Sequence, residues 1–226
     1  MTFVGLPVLW DLDGTLVDSG GDIADAMDRA LVLQGLSPLG ERRVRAHIGS
    51  GAQHLVTACA RDAGGDFSEA LLADFFATYQ EHVADRTVLF PGVHDLLEGL
   101  HSRGIVQAIV TNKPVGICTA LLKALGIEHY FSCVLGGESL PKRKPDPMML
   151  YAAMKALNTE RAVMVGDGPH DVGAARAAGL PVIGVDWGIA TPVGADVRVQ
   201  TVAQLSALLL PADTPANPQT TSRSEP

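Results

Sequence analysis

Short apolar runs and longer stretches of helical period alternate along most of this chain. Val8–Trp10, Ile105–Val110, Cys133–Leu135, Ala162–Val165 and Val182–Val185 are largely apolar segments bounded by polar or turn-forming residues. That is the pattern of strands covered on both faces. Residues 92–103, 115–125, 147–157, 170–178 and 201–210 follow a helical period, with Gly104, Gly126 and Gly179 where three of them would end. Glycine is favoured there because the residue past a helix terminus turns left-handed. Strand followed by helix, repeated, predicts an α/β fold with a parallel, doubly wound sheet and right-handed crossovers.

Residues 20–86 break the alternation. Ile23, Met27, Ala30 and Leu31 recur at helical spacing, as do Val44 with Ile48, then Leu55, Val56 and Cys59, then Leu71, Leu72, Phe75, Phe76 and Tyr79. The pattern predicts an inserted all-helical unit of about four helices, with Phe75 and Phe76 in its core. The chain then divides into a core of residues 1–19 and 87–210, an insertion of residues 20–86, and a tail of residues 211–226. That tail is rich in Pro, Thr, Ser and Ala and is expected to be disordered, because it cannot bury much apolar surface.

Composition narrows the function classes. A chain of 226 residues buries roughly 70% of the surface its unfolded form exposes, so folding needs neither metal nor disulfide. The net charge of −8 and the lack of any long basic run argue against nucleic-acid or anionic-membrane partners, which require clustered Lys and Arg. No apolar run reaches the roughly 18 residues that span a bilayer, and the N-terminus lacks a signal-peptide layout. Cys59, Cys118 and Cys133 show no CxxC spacing, so they read as small core residues of a reducing compartment. A cytoplasmic monomer or small homo-oligomer is the expectation.

Four polar motifs each follow a predicted strand, or lead into a helix, on the same edge of the sheet. They are Asp11-Leu12-Asp13-Gly14-Thr15, Thr111-Asn112-Lys113-Pro114, Arg143-Lys144-Pro145-Asp146-Pro147, and Gly166-Asp167-Gly168-Pro169-His170-Asp171. Ligands of open parallel sheets bind at that edge. Phosphoryl transfer through an aspartyl-phosphate needs such a set: a carboxylate nucleophile, a second acid, a Lys and a hard divalent cation to offset charge repulsion. Asp11 is the expected nucleophile and Asp13 the general acid and base for the leaving alcohol and the water. Asp11, the Asp13 carbonyl and Asp167 are the expected Mg²⁺ ligands, with Asp171 orienting a metal-bound water. Thr111, Asn112, Lys144 and Gly14 are the expected phosphate contacts, and Thr111 also suits a helix N-cap. His170 reads as a surface loop residue. Arg45, His47, Ser50 and Gln53 flank a turn at Gly49 and Gly51 and are expected to serve the insertion's polar surface rather than the substrate.

These motifs resemble those of haloacid-dehalogenase superfamily phosphatases, with Asp11–Thr15, Thr111, Lys144 and Gly166–Asp171 in the four motif positions. Residues from Val8 to about Leu209 fall under the resemblance, and residues 20–86 stand where that family carries a helical cap. The resemblance implies a Rossmann-like core, Mg²⁺ dependence and hydrolysis of a small phosphate monoester. Ile48–Gly51, Phe90–Val93 and Gly136–Leu140 are similar to the phosphoglycolate phosphatases of bacteria, so 2-phosphoglycolate is the leading substrate. Sugar phosphates, N-acetylmuramate 6-phosphate and pyrophosphate are the alternatives, and a phosphosugar mutase or a non-catalytic binding module are rival functions. Trp10 stands where a Phe is usual, and Gly168 where a Ser or Thr is common.

Overall fold

The computed structural model describes residues 3–211; residues 212–226 of the expected disordered tail lie outside them. Six parallel strands form one sheet. They are β1 (Val8–Trp10), β4 (Gln107–Val110), β5 (Cys133–Leu135), β6 (Val163–Gly166), β7 (Val182–Val185) and β8 (Val197–Val199), in the order β5-β4-β1-β6-β7-β8. The chain steps outward from β1 through β4 to β5, returns beside β1 as β6, and steps outward on the other side. This reversal makes the C-terminal end of β1 a topological switch point, where open α/β sheets bind ligands.

Helices cover both faces. Along β1 the side chains alternate: Val8 and Trp10 pack with α5 (Val93–Ser102), α6 (Val115–Ala124) and α9 (Val202–Leu209). Leu9 points to the opposite face, against α7 (Met148–Ala156) and α8 (Pro169–Ala178). The period of two explains why every β1 residue is apolar, since each side of the strand meets a core. Trp10 carries an indole N–H that a Phe lacks, and Nε1 donates it to Gln107 Oε1 at 3.1 Å, while Gln107 Nε2 donates to the Leu97 carbonyl at 3.2 Å. The unusual residue thus brings its own buried partner.

Four helices occupy the sequence between β1 and α5: α1 (Gly20–Leu33), α2 (Glu41–Arg45), α3 (Ala52–Asp62) and α4 (Glu69–Glu81). They share a core of Ile23, Met27, Leu31, Val44, Leu55, Val56, Leu71, Phe75 and Tyr79, into which Ile117 of α6 inserts. A two-stranded antiparallel ribbon joins the helices to the sheet at both ends of the insertion, formed by β2 (Val17–Asp18) and β3 (Val88–Leu89). Beside it, the buried Asp22 accepts hydrogen bonds from the backbone N–H groups of Arg86 and Thr87 and from the Thr87 hydroxyl. Asp18, at the other end, pairs with Arg45 at 2.5 Å. Cys59 and Cys118 are buried and unbridged. Burial pushes both thiols up to about 12, so they remain neutral packing groups.

Candidate active site

Asp11 follows β1 directly, and its N–H still pairs with the Val165 carbonyl of β6 at 2.9 Å, so its position is set by the sheet. The chain then turns through Gly14, whose φ is +82°. A Cβ there would lie 2.3 Å from Asp167 Oδ2 and clash with it, so only glycine lets the first loop approach the acid after β6. The Gly14 N–H is donated to the Val17 carbonyl at 2.9 Å. It is therefore not offered to a phosphate as the sequence suggests, and Gly14 serves by leaving room.

Asp11, Asp167 and Asp171 place one carboxylate oxygen each within 4.8 Å of one another. Three half-buried or buried acids this close raise one another's proton affinity. Burial first, then Asp171, pushes Asp11 up to about 6, and burial followed by Asp11 pushes Asp167 up to about 6. Asp167 is gripped by the loop after β7, where the N–H groups of Ile189 and Ala190 donate to Oδ2 at 2.7 and 2.9 Å. Lys144 is buried, with its ammonium 2.9 Å from Asp11 Oδ1 and 2.6 Å from Asp171 Oδ1. Asp171 sits in the first turn of α8 and accepts the Gly168 N–H at 3.0 Å. Asp171 thus caps α8 and belongs to the acid cluster at once. Gly168 has φ −131°, and a Cβ there would make only an ordinary contact with Ala190 at 3.5 Å, so the backbone does not require glycine there.

Asp13 has partners other than the acid trio. Its carboxylate accepts the Ser19 hydroxyl at 2.5 Å and the Lys113 ammonium at 2.9 and 3.1 Å. Thr111, at the end of β4, is buried, and its Oγ1 accepts the Lys113 N–H at 3.2 Å. Thr111 is no helix cap: α6 begins four residues on at Val115, whose N–H is taken by Glu138 at 2.8 Å. Part of the α6 N-terminus is thereby closed. Asn112 Nδ2 donates to the carbonyls of Gly49 and Lys144, both at 3.0 Å. Its amide protons are committed to joining two loops rather than to a phosphate.

Two cavities meet at this pair of acids. One, of about 110 Å³, holds Lys144, Asp167, His170 and Asp171. The other, of about 50 Å³, is walled by Ile23, Ile48, Leu55, Phe75, Tyr79, Lys113 and Ile117. Asp11 and Asp13 line both. Phe75 therefore packs in the helical core as predicted and also faces this cavity. His170 is not in a loop; it lies half-buried in the first turn of α8, 3.4 Å from Ser50 Oγ of the helical insertion. Burial, followed by Lys144, holds its imidazole below the usual histidine range. Arg45 and His47 are tied to Asp18 and Asp62. The turn between α2 and α3 uses positive φ at Gly49 (+112°) and Gly51 (+92°) to bring Ser50 to the core. Lys113 and Tyr79 were not marked by the sequence as site residues, although a lysine between a buried strand and Pro114 carries a signal.

The family model described as haloacid dehalogenase-like hydrolase matches residues 8–185. The chain belongs to this family. It is 37% identical over 211 residues to phosphoglycolate phosphatase from Chromobacterium violaceum, covering 89% of this chain and 95% of that one. The phosphoglycolate phosphatase of Rhodospirillum rubrum is 40% identical over 191 residues, covering 80% and 79% of the two chains. The crystal structure of a predicted phosphoglycolate phosphatase from Haemophilus somnus superposes with a TM-score of 0.84 at 31% identity, covering 90% and 97%. Membership and these relatives make the protein a phosphatase acting on phosphoric monoesters. Among the described residues no helix is long and apolar enough to cross a membrane.

Proposed function

We propose that the protein is a Mg²⁺-dependent phosphatase that hydrolyses 2-phosphoglycolate through an aspartyl-phosphate on Asp11, with residues 20–86 acting as a cap. The observation that carries this reading is the place of Asp11 and Asp13 at the junction of an acidic cavity and an apolar one. A phosphoryl group seated between them meets Lys144 and the acid trio on one side and sends its leaving group toward the other. The apolar wall offers few partners for a polyhydroxylated leaving group, whose unpaired buried hydroxyls would be costly. This favours a small ester over a hexose phosphate and hydrolysis over a phosphosugar mutase.

The donor set fits the metal. Three carboxylates within 4.8 Å are a hard oxygen cluster suited to Mg²⁺. Asp11, Asp167 and the Asp13 carbonyl would hold the ion, with Asp171 orienting a water, and the ion would supply positive charge beside the phosphoryl oxygens. Asp11 then forms an O–P bond as the ester P–O bond breaks, and Asp13 gives its proton to the departing alkoxide. In the second step Asp13 takes a proton from water, water oxygen bonds to phosphorus, and Asp11 is released with inorganic phosphate. Lys144 lowers the repulsion between Asp11 and the phosphate, and the Thr111 hydroxyl proton is free to donate to a phosphoryl oxygen. A second acid to protonate an alcohol has no use in dehalogenation, which is why Asp13 favours phosphate esters.

Ranking kcat/KM over 2-phosphoglycolate, a hexose phosphate, N-acetylmuramate 6-phosphate and pyrophosphate tests the substrate. Phosphoglycolate should lead; a hexose phosphate in first place would overturn the assignment. Asp13→Asn should slow alcohol release in a single turnover by about 10²–10⁴-fold on an alkyl phosphate and far less on p-nitrophenyl phosphate, whose leaving group needs no proton. Equal losses in that first-step rate on the two substrates would remove Asp13 from the acid role.

Metal and pH are linked through the trio. Asp11 and Asp167 titrate near 6 in the folded protein and near 4 when unfolded, so the metal-free fold binds more protons than the unfolded chain between those values. Its stability therefore falls as pH rises from about 4 to 6, and the deficit persists above 6. Mg²⁺ offsets that deficit, so its addition should raise Tm more at pH 7.5 than at pH 5. An equal shift at both pH values in a thermal melt would show that the cation does not bind this cluster.

A further inference from the structure

The phosphatase chemistry above uses Asp11, Asp13, Thr111, Lys144 and Asp167 but leaves Lys113 without a task. Its side chain is 2% exposed, and a buried ammonium is costly unless it is paired. Lys113 Nζ donates to both oxygens of Asp13 at 2.9 and 3.1 Å and to the Tyr79 hydroxyl at 2.5 Å, and it lies 4.5 Å from the centre of the Tyr79 ring. Tyr79 belongs to α4 of the helical insertion, so the ammonium is held between the sheet edge and the helices over it.

Among the described residues Lys113 is the one cationic side chain in the wall of the apolar cavity. Lys144 lines the acidic cavity instead. Arg143 is exposed and opens onto an outer groove with Gln53 and Glu138. The rest of the apolar wall is Ile23, Ile48, Leu55, Phe75 and Ile117. A leaving group that carries its own negative charge would find a single electrostatic partner there. A neutral leaving group would gain only the weaker hydrogen bond of an uncharged acceptor from that cation.

We propose that Lys113 is the specificity-determining residue of this site, receiving a carboxylate on the leaving group and so selecting phosphorylated small hydroxy acids over neutral phosphate esters. This inference rests on the phosphatase reading and adds the means of recognition. An ammonium has three N–H donors, and the Asp13 carboxylate can be held by one of them and by Ser19, leaving another for the ligand. Asp13 and the bound carboxylate then share one cation, so the anionic leaving group is seated beside the acid that protonates its bridging oxygen. Tyr79 fixes the third donor, and through it the helical insertion sets where the carboxylate must lie.

The test compares 2-phosphoglycolate with its neutral isostere, the phosphate ester of glycolamide, in wild type, Lys113→Met, Lys113→Arg and Tyr79→Phe. Wild type should prefer the acid by about 10- to 100-fold in kcat/KM, the scale of a hydrogen bond between charged groups. Lys113→Met should collapse that ratio to within about threefold, chiefly through a higher KM for the acid. Lys113→Arg should restore part of the preference, and Tyr79→Phe should raise KM for the acid more than for the amide. A Lys113→Met variant that loses the two substrates in equal proportion would overturn the inference, because Lys113 would then serve Asp13 alone. Should Lys113→Met fail to fold, Tyr79→Phe decides the same question, with equal effects on both substrates again the contrary result. Wild type that turns over a hexose phosphate better than phosphoglycolate would instead defeat the substrate reading itself, a separately visible outcome.

Discussion

Asp11→Asn should lower kcat for phosphate release by at least about 10⁴-fold, the scale on which loss of a covalent nucleophile is felt, while the protein remains folded. Asparagine keeps the shape of the side chain but cannot form the acyl phosphate. It also removes one of three crowded acids, so the metal-free variant should melt at or above the wild-type temperature at pH 7.5. Lys144 retains Asp171 as a partner at 2.6 Å, which prevents an unpaired buried ammonium. A variant within about tenfold of wild type in a steady-state phosphate assay would mean that another group attacks phosphorus.

Lys144→Met should be as damaging to activity and far more damaging to the fold. Lys144 is the cation between Asp11 and Asp171, and removing one partner of a buried ion pair typically costs about 3–5 kcal/mol. In a domain of this size that is a fall in Tm of roughly 6–20 °C. The stability loss should shrink as pH falls toward 5, because the orphaned carboxyls then take up protons. Lys142 provides the control: two residues away, its side chain is 64% exposed and pairs with Asp146 at 3.1 Å. Such surface pairs are worth about 1 kcal/mol or less, so Lys142→Met should leave Tm and kcat near wild type. Similar melts for the two variants would show that the Lys144 pairing does not hold the site together.

The sheet was legible because its central strands are apolar on both sides, and period and length alone separate them from helices. The edge strand β8 and the two linker strands were not. Val197–Val199 is a three-residue strand with Arg198 exposed, too short and too polar to read as a buried strand. Val17–Asp18 and Val88–Leu89 are two residues each and become strands only by pairing across the helical insertion. In the site, Asp11, Lys144 and Asp167 were readable from their place after strands or in a proline-stiffened loop, and the fold brings them together. Asn112 and Gly14 were read from residue type, which does not reveal that Gly49, Lys144 and Val17 already accept their N–H groups. Lys113 and Tyr79 meet across 34 positions of sequence, and no local pattern marks such a contact.

The most direct test of the account is to quench wild-type enzyme in acid during Mg²⁺-supported turnover of 2-phosphoglycolate and to locate any phosphoryl group by peptide mass. Phosphate should be bound to the peptide containing Asp11, on the carboxylate of that residue, and be absent from Asp11→Asn. Phosphate released without any enzyme-bound phosphoryl group, or with the group on a different side chain, would contradict it.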